Sequence, residues 1–236
     1  LQEHTGEQVA DTTRVLAGML DALVARTAGS DPEMRAFAAQ EQMAVINAMS
    51  AREHPTQALA DLATIGRRFG SIDGLRIVYL GEGNNTAAAL ALALTHFDGV
   101  ELYLRTPPGY GLDECVADTA RCGIEARGGL FEEEHDMQTA MKPCDVVYTT
   151  RWQTTGTAKA DPAWRDVFAP FHVSPDVMAA HPGAVFMHDL PAHRGEEVDP
   201  RVLDGPDSIA FEQADGKLAG AMAALEWCLT DQGVPS

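Results

Sequence analysis

Three short stretches of the 236-residue sequence gather side chains that could bind an anion and stabilise developing negative charge. The first is Arg52-Glu53-His54-Pro55-Thr56-Gln57, placed where a helix begins. Proline in a first turn forfeits no hydrogen bond, and the free amides there favour an anion. His54 and Gln57, three apart, project near one another. The second, Gly81-Glu82-Gly83-Asn84-Asn85-Thr86, lies between a strand and a helix. It sets two amides, Asn84 and Asn85, at a strand's carboxyl end, where open α/β sheets bind ligands. The third runs from Phe186 through His188, Asp189, Leu190, Pro191 and Arg194 to Glu197, and holds more polarity than a connection needs. Each also has a plain reading: a helix start, a tight structural turn, a solvated loop.

The glycines at 81 and 83 also invite a dinucleotide reading, because glycine lets a pyrophosphate approach the backbone. A third glycine is absent, and the next strand ends in Arg105 and Thr106 where an acidic ribose partner belongs. Arg105 would suit a 2′-phosphate, so an NAD(P)-dependent dehydrogenase stays as the weakest alternative.

The elements that must position these residues follow from periodicity. Apolar residues three and four apart predict a helix over 8–26, and Ser30-Asp31-Pro32 signals a second helix that ends before a short strand at 44–47. A third helix spans 54–69 and stops at Gly70. Strands are expected at 75–80, 100–106, 145–150, 184–187 and 208–211, with helices near 86–96, 113–122 and 137–142 and a closing helix over 217–229. The acidic run 132–134 reads as a solvated loop or helix start. Alternation of this kind makes an α/β protein with a mostly parallel sheet covered on both faces.

Charge restricts the partners. With 35 acidic against 17 basic residues the formal net charge is −18, which repels polyanions, so neither nucleic acid nor an anionic membrane is an expected partner. No run of about 18 apolar residues and no secretory signal is seen, so a cytoplasmic protein is expected. Cys115, Cys122, Cys144 and Cys228 form no CxxC pair and read as reduced, buried thiols, with no metal site.

Taken together, the motifs resemble those of the ornithine and aspartate carbamoyltransferase superfamily, and ornithine carbamoyltransferases most. His54-Pro55-Thr56-Gln57-Ala58-Leu59-Ala60-Asp61-Leu62 is similar to their HPxQALADL segment, and Gly81 to Asn85 to their GDGNN turn. Asp11-Thr12-Thr13-Arg14-Val15-Leu16 resembles their DTARVL helix. The loop from His188 to Val198 follows HCLPAHRGEEV except at Asp189, where the family has cysteine. The family's S-T-R-T phosphate element, which lies upstream of this region, has no counterpart here. The resemblance therefore implies a member read without roughly its first quarter.

The resemblance implies two doubly wound parallel-sheet domains. Residues 1–69, with the closing helix 217–236 returning to them, would be the remainder of a carbamoyl-phosphate domain, and 70–216 an acceptor domain. It implies that Arg26, His54, Gln57, Leu190 (through its carbonyl) and Arg194 bind carbamoyl phosphate, with His54, Arg26 and Arg194 catalytic. No cofactor is implied, and a homotrimer is expected. On the acceptor side the family's DVWxSMG is replaced by Thr150-Arg151-Trp152-Gln153-Thr154-Thr155-Gly156, whose start resembles the TRVQ of aspartate enzymes. Acceptor binding is accordingly expected from Asn84, Asn85, Arg151, Gln153 and Asp189, the last orienting an ammonium. The expected reaction carries a carbamoyl group from carbamoyl phosphate to the amine of an amino acid other than ornithine. Ornithine itself and a non-catalytic relative are the alternatives.

Overall fold

Short apolar strands set between helices decide the architecture. In the computed structural model, which describes residues 6, 8–27, 31–139, 141–154 and 158–230, the first part of the chain runs α1 (Val9–Ala17), β1 (Ala22–Arg26), α2 (Asp31–Ala38), β2 (Ala44–Met49) and α3 (Pro55–Phe69). Strands β1 and β2 pair in parallel, with a register shift between Ala25 and Arg26.

The second part continues with β3 (Arg76–Leu80), α4 (Asn85–Leu94), β4 (Glu101–Arg105), α5 (Glu114–Ala126), β5 (Leu130–Glu134) and β6 (Val146–Thr149). It ends with α6 (Trp164–Phe168), α7 (Pro175–Ala179), β7 (Val185–His188), α8 (Pro200–Leu203) and α9 (Ala210–Leu229). Its five strands form an all-parallel sheet in the order β5-β4-β3-β6-β7. Ile77 and Tyr79 face one helical layer while Val78 and Leu80 face the other, all wholly buried. Burial on both faces is why these strands are apolar throughout rather than alternating with polar residues. The strand order reverses between β3 and β6, so the crevice outside their carboxyl ends is where such a sheet holds a ligand. The α/β class with parallel sheets in two domains is as expected from the resemblance.

Helix α9 packs along α3 through small residues. A Cβ on Gly216 would meet the Thr64 hydroxyl at 3.2 Å, and one on Gly220 would lie 3.6 Å from the Ala60 backbone nitrogen. This close crossing returns the chain end to the first sheet and brings Gln213 and Lys217 over the carboxyl ends of β6 and β7.

Several local expectations are corrected. Of the four cysteines only Cys144 is buried; Cys115 and Cys122 lie exposed on α5 and Cys228 is half-buried on α9. The helix expected over 8–26 stops at Ala17, where the Gly18 N–H bonds the Val15 and Leu16 carbonyls, and residues 22–26 become a strand because β2 supplies a backbone ladder. The acidic run 132–134 belongs to strand β5, its charges met individually: Glu132 pairs with the fully buried Arg105 at 2.6 Å, and Glu133 accepts from the Thr106 hydroxyl and Leu112 N–H. Residues 208–211 are not a strand, since only Ser208 bridges to Phe186 and α9 starts at Ala210. No helix forms over the described part of 137–142; Asp136 instead caps the amides of Gln138 and Thr139. Ser30, residue 140, Thr155, Gly156 and 231–236 lie outside the described residues.

Candidate active site

Helix α3 opens the site. Pro55 occupies its first turn, His54 stands at its N-cap, and Gly70 closes it in the left-handed region at φ +82°. The loop before it is docked on α4: the His54 N–H donates to the Asn85 carbonyl at 3.1 Å, and Asn85 Nδ2 donates to the Ser50 carbonyl at 2.8 Å. Asn84 caps α4, accepting from the amides of Thr86 and Ala87, and its Nδ2 reaches the Thr154 hydroxyl at 3.2 Å. The two asparagines thus lock the site's framework while still lining it.

The glycines of this turn answer the dinucleotide reading. A Cβ on Gly83 would sit 2.3 Å from the Leu112 nitrogen and 2.4 Å from the Gly111 carbonyl carbon. Glycine is required there because the 111–112 backbone already fills the space a pyrophosphate would need.

These elements enclose a cavity of about 70 Å³ at the reversal between β3 and β6. Its walls include Arg26, His54, Gln57, Asn84, Asn85, Arg151, Asp189 and Leu190, so all the residues singled out above converge there except Arg194 and Gln153. The exposed Arg194 guanidinium instead forms a two-point pair with Asp204, at 2.5 and 2.8 Å. Lys217 joins Arg26 and Arg151 as a third cation in the cavity wall. It donates to the Asp189 carbonyl, and to that of Leu190 at 3.5 Å. Sequence reasoning passed over it, although it is the only basic residue of α9 and that helix was expected to return to the first domain.

Two electrostatic features stand out. Burial holds the His54 imidazole well below its usual range, at about 4, with Arg26 and Lys217 adding to the effect and Asp189 opposing it. His54 is therefore neutral near pH 7. Thr56 Oγ1 lies 3.4 Å from Nδ1 and donates to the Ala48 carbonyl at 3.5 Å, and the neutral ring keeps one N–H to donate. Asp189 is the other feature: its carboxylate accepts from Thr86 Oγ1 at 2.9 Å and from Thr150 Oγ1 at 2.7 Å. The carboxylate absent at position 150 thus stands one hydrogen bond away, carried by a different strand.

The following loop is held from beneath. His188 Nδ1 accepts from the Leu190 N–H at 2.8 Å, and its Nε2 lies 3.2 Å from Glu197, both side chains being fully buried. Leu190 itself is in the left-handed region at φ 45°. Outside the cavity, His193, Glu196 and Glu197 offer potential metal ligands within 4.8 Å of one another, but Glu197 is already engaged by His188 and by the His193 N–H.

A parallel α/β sheet with a neutral histidine, an amide and three cations at its strand reversal forms a site able to hold a small anion and to donate to an oxygen that gains charge. Comparison with known proteins places it further. Residues 73–228 match the aspartate/ornithine carbamoyltransferase Asp/Orn binding domain, and residues 1–67 the carbamoyl-P binding domain of the same proteins. The anabolic ornithine carbamoyltransferase of Pyrococcus furiosus is 41% identical over 226 residues, 95% of this chain and 71% of that protein. That of Acidothermus cellulolyticus is 41% identical over 97% of this chain and 73% of its own length. Among solved structures, ornithine carbamoyltransferase from Pyrococcus furiosus superposes with a TM-score of 0.89 at 39% identity, covering 100% of this chain and 74% of that one. The catalytic subunit of M. Jannaschii aspartate transcarbamoylase gives 0.78 at 29%, covering 98% of this chain and 74% of that one. The chain belongs to the aspartate/ornithine carbamoyltransferase family and is a transferase enzyme. Among the described residues no helix is long and apolar enough to cross a membrane.

Proposed function

We propose that the chain transfers the carbamoyl group of carbamoyl phosphate to ornithine. The observation that carries this reading is the Thr150–Asp189 hydrogen bond of 2.7 Å. The sequence difference at 150 suggested an acceptor other than ornithine, but Asp189 supplies a carboxylate beside that position, able to hold an acceptor ammonium as the family's aspartate does. The names of the relatives favour the same acceptor.

In this mechanism the neutral amine attacks the carbamoyl carbon and charge grows on the carbamoyl oxygen. A neutral His54 N–H aimed at that oxygen is a donor that gives up no proton, and one such donor contributes about 3 to 4 kcal/mol to the transition state. Gln57 and the Leu190 carbonyl accept from the carbamoyl NH2. Arg26 and Lys217 neutralise the leaving phosphate, and no cofactor is needed. The domain limits at 1–69, 70–216 and 217–236, a homotrimeric assembly and a cytoplasmic location belong to the same reading.

A second reading, an acceptor with a further carboxylate, is favoured by Arg151 in the cavity wall. Phosphate release dependent on carbamoyl phosphate, measured against ornithine, aspartate, lysine, 2,3-diaminopropionate, 2,4-diaminobutyrate and putrescine, separates the two. Release with ornithine, abolished in His54→Ala, supports the first reading. Release with aspartate alone supports the second, and silence across the panel refutes both.

A further inference from the structure

A chain of fully buried hydrogen bonds runs beneath the cavity, and the sense of each bond can be read from its far end. The His188 backbone N–H can only donate, and it donates to Gln213 Oε1 at 2.9 Å. The Gln213 amide must therefore present its Nε2 on the other side, where it reaches Asp61 Oδ1 at 2.7 Å and the Tyr148 hydroxyl at 2.9 Å. Tyr148 donates to Asp61 Oδ2 at 3.0 Å. Gln57, in the cavity wall, places its Nε2 on Asp61 Oδ1 at 2.7 Å. An ionised carboxylate only accepts, so with Asp61 ionised the Gln57 amide has its oxygen left for the cavity.

We propose that Asp61 is a positioning residue that dictates which end of the Gln57 amide faces the carbamoyl group, and that through Gln213 it ties this choice to the strand end carrying Asp189 and Leu190. Its effect on Gln57 is the part that bears on catalysis, and it rests on the reading of Gln57 as the acceptor of the carbamoyl NH2. A turned Gln57 would set N–H against N–H. Three donors converge on Asp61 from α3, β6 and α9, and a flipped Gln57 would set its oxygen against the ionised carboxylate.

The titratable groups facing Asp61 are Tyr148 on β6, Tyr79 on β3 and Asp189 beyond β7, with Lys217 one turn past Gln213 on α9. Burial first, and the Asp189 charge with it, raise the Asp61 carboxyl to about 7, against the lowering effect of its three donors. Protonation below that point gives the group a proton to donate where every neighbour is already a donor, which releases the constraint on Gln57. Orientation is thus enforced above about pH 7 and lost as pH falls through it.

The test is kcat/KM for carbamoyl phosphate between about pH 5.5 and 8.5, which reports groups of the free enzyme. Wild type should show an acid limb near neutrality. Asp61→Asn, whose amide cannot accept from all three donors, should lower the plateau roughly tenfold, mostly through KM, and abolish that limb. Tyr148→Phe removes one donor to the carboxylate and should move the limb to higher pH, which covers the case in which Asp61→Asn does not fold. Independently of turnover, the side-chain amide NMR signal of Gln57 should titrate near pH 7 in wild type. An Asp61→Asn enzyme with wild-type kcat/KM and an unchanged limb, or a Gln57 amide that does not titrate, overturns the proposal. A titrating amide in a protein that transfers no carbamoyl group would sink the transferase reading and leave the Asp61 constraint standing.

Discussion

Asp189→Asn is the most informative single change in the acceptor half of the site. The substitution keeps shape and leaves an oxygen for Thr150 or Thr86, whose hydroxyls lie 2.7 and 2.9 Å from the carboxylate, but it removes the charge. The Asp189 side chain is only 14% exposed, so water screens it poorly. A hydrogen bond from an ammonium to such a carboxylate contributes about 1.5 to 3 kcal/mol, a factor of roughly 10 to 150. Steady-state kinetics should therefore show KM for ornithine rising by about that factor, while KM for carbamoyl phosphate changes less than about threefold. His54 should remain neutral, because Asp189 is the neighbour that raises its pKa and removing that charge pushes it lower still. Unchanged KM for ornithine would refute the idea that the carboxylate has moved from position 150 to 189 with its role intact.

Other consequences are open to measurement. Lys217→Met should lower kcat/KM for carbamoyl phosphate about 10- to 100-fold, whereas Arg194→Met, removing a pair with Asp204 outside the cavity, should cost less than about threefold; equal losses would contradict the placement of the cations. The His54 ring should show no NMR titration between about pH 8 and 5, and a midpoint near the usual histidine value would show that burial is less effective than the geometry requires. Because the folded pKa of His54 is depressed to about 4 from 6.5, its contribution to stability is complete above about 6.5 and is lost as pH falls toward 4. The gap in melting temperature between wild type and His54→Gln should change across that window and be constant above it. Gly83→Ala, whose methyl would lie 2.3 Å from a backbone nitrogen, should destabilise by about 2 to 3 kcal/mol in urea unfolding.

Much of this protein was legible in one dimension. The helix start at Pro55, its end at Gly70, the turn at Gly81 to Asn84 and the apolar strands β3, β4, β6 and β7 are local features, set by backbone chemistry and by burial on two faces, and the family resemblance rests on those same segments. Residues adjacent in a motif could therefore be placed in one cavity before any contact was known. What depended on partners distant in sequence was not legible. Residues 22–26 are a strand only because β2 lies beside them, and the acidic run at 132–134 joins the sheet only because Arg105 and Thr106 meet its charges. The same holds for function. Arg194 sits in a conspicuous motif yet pairs with Asp204, while Lys217 enters the cavity because α9 crosses α3 at two glycines. In sequence Asp189 is an isolated departure from the family motif, and only the sheet sets it against Thr150. Charge and hydrogen bonding act over a few ångströms of space, and spacing along a chain reports those distances only within a helix, a strand or a turn.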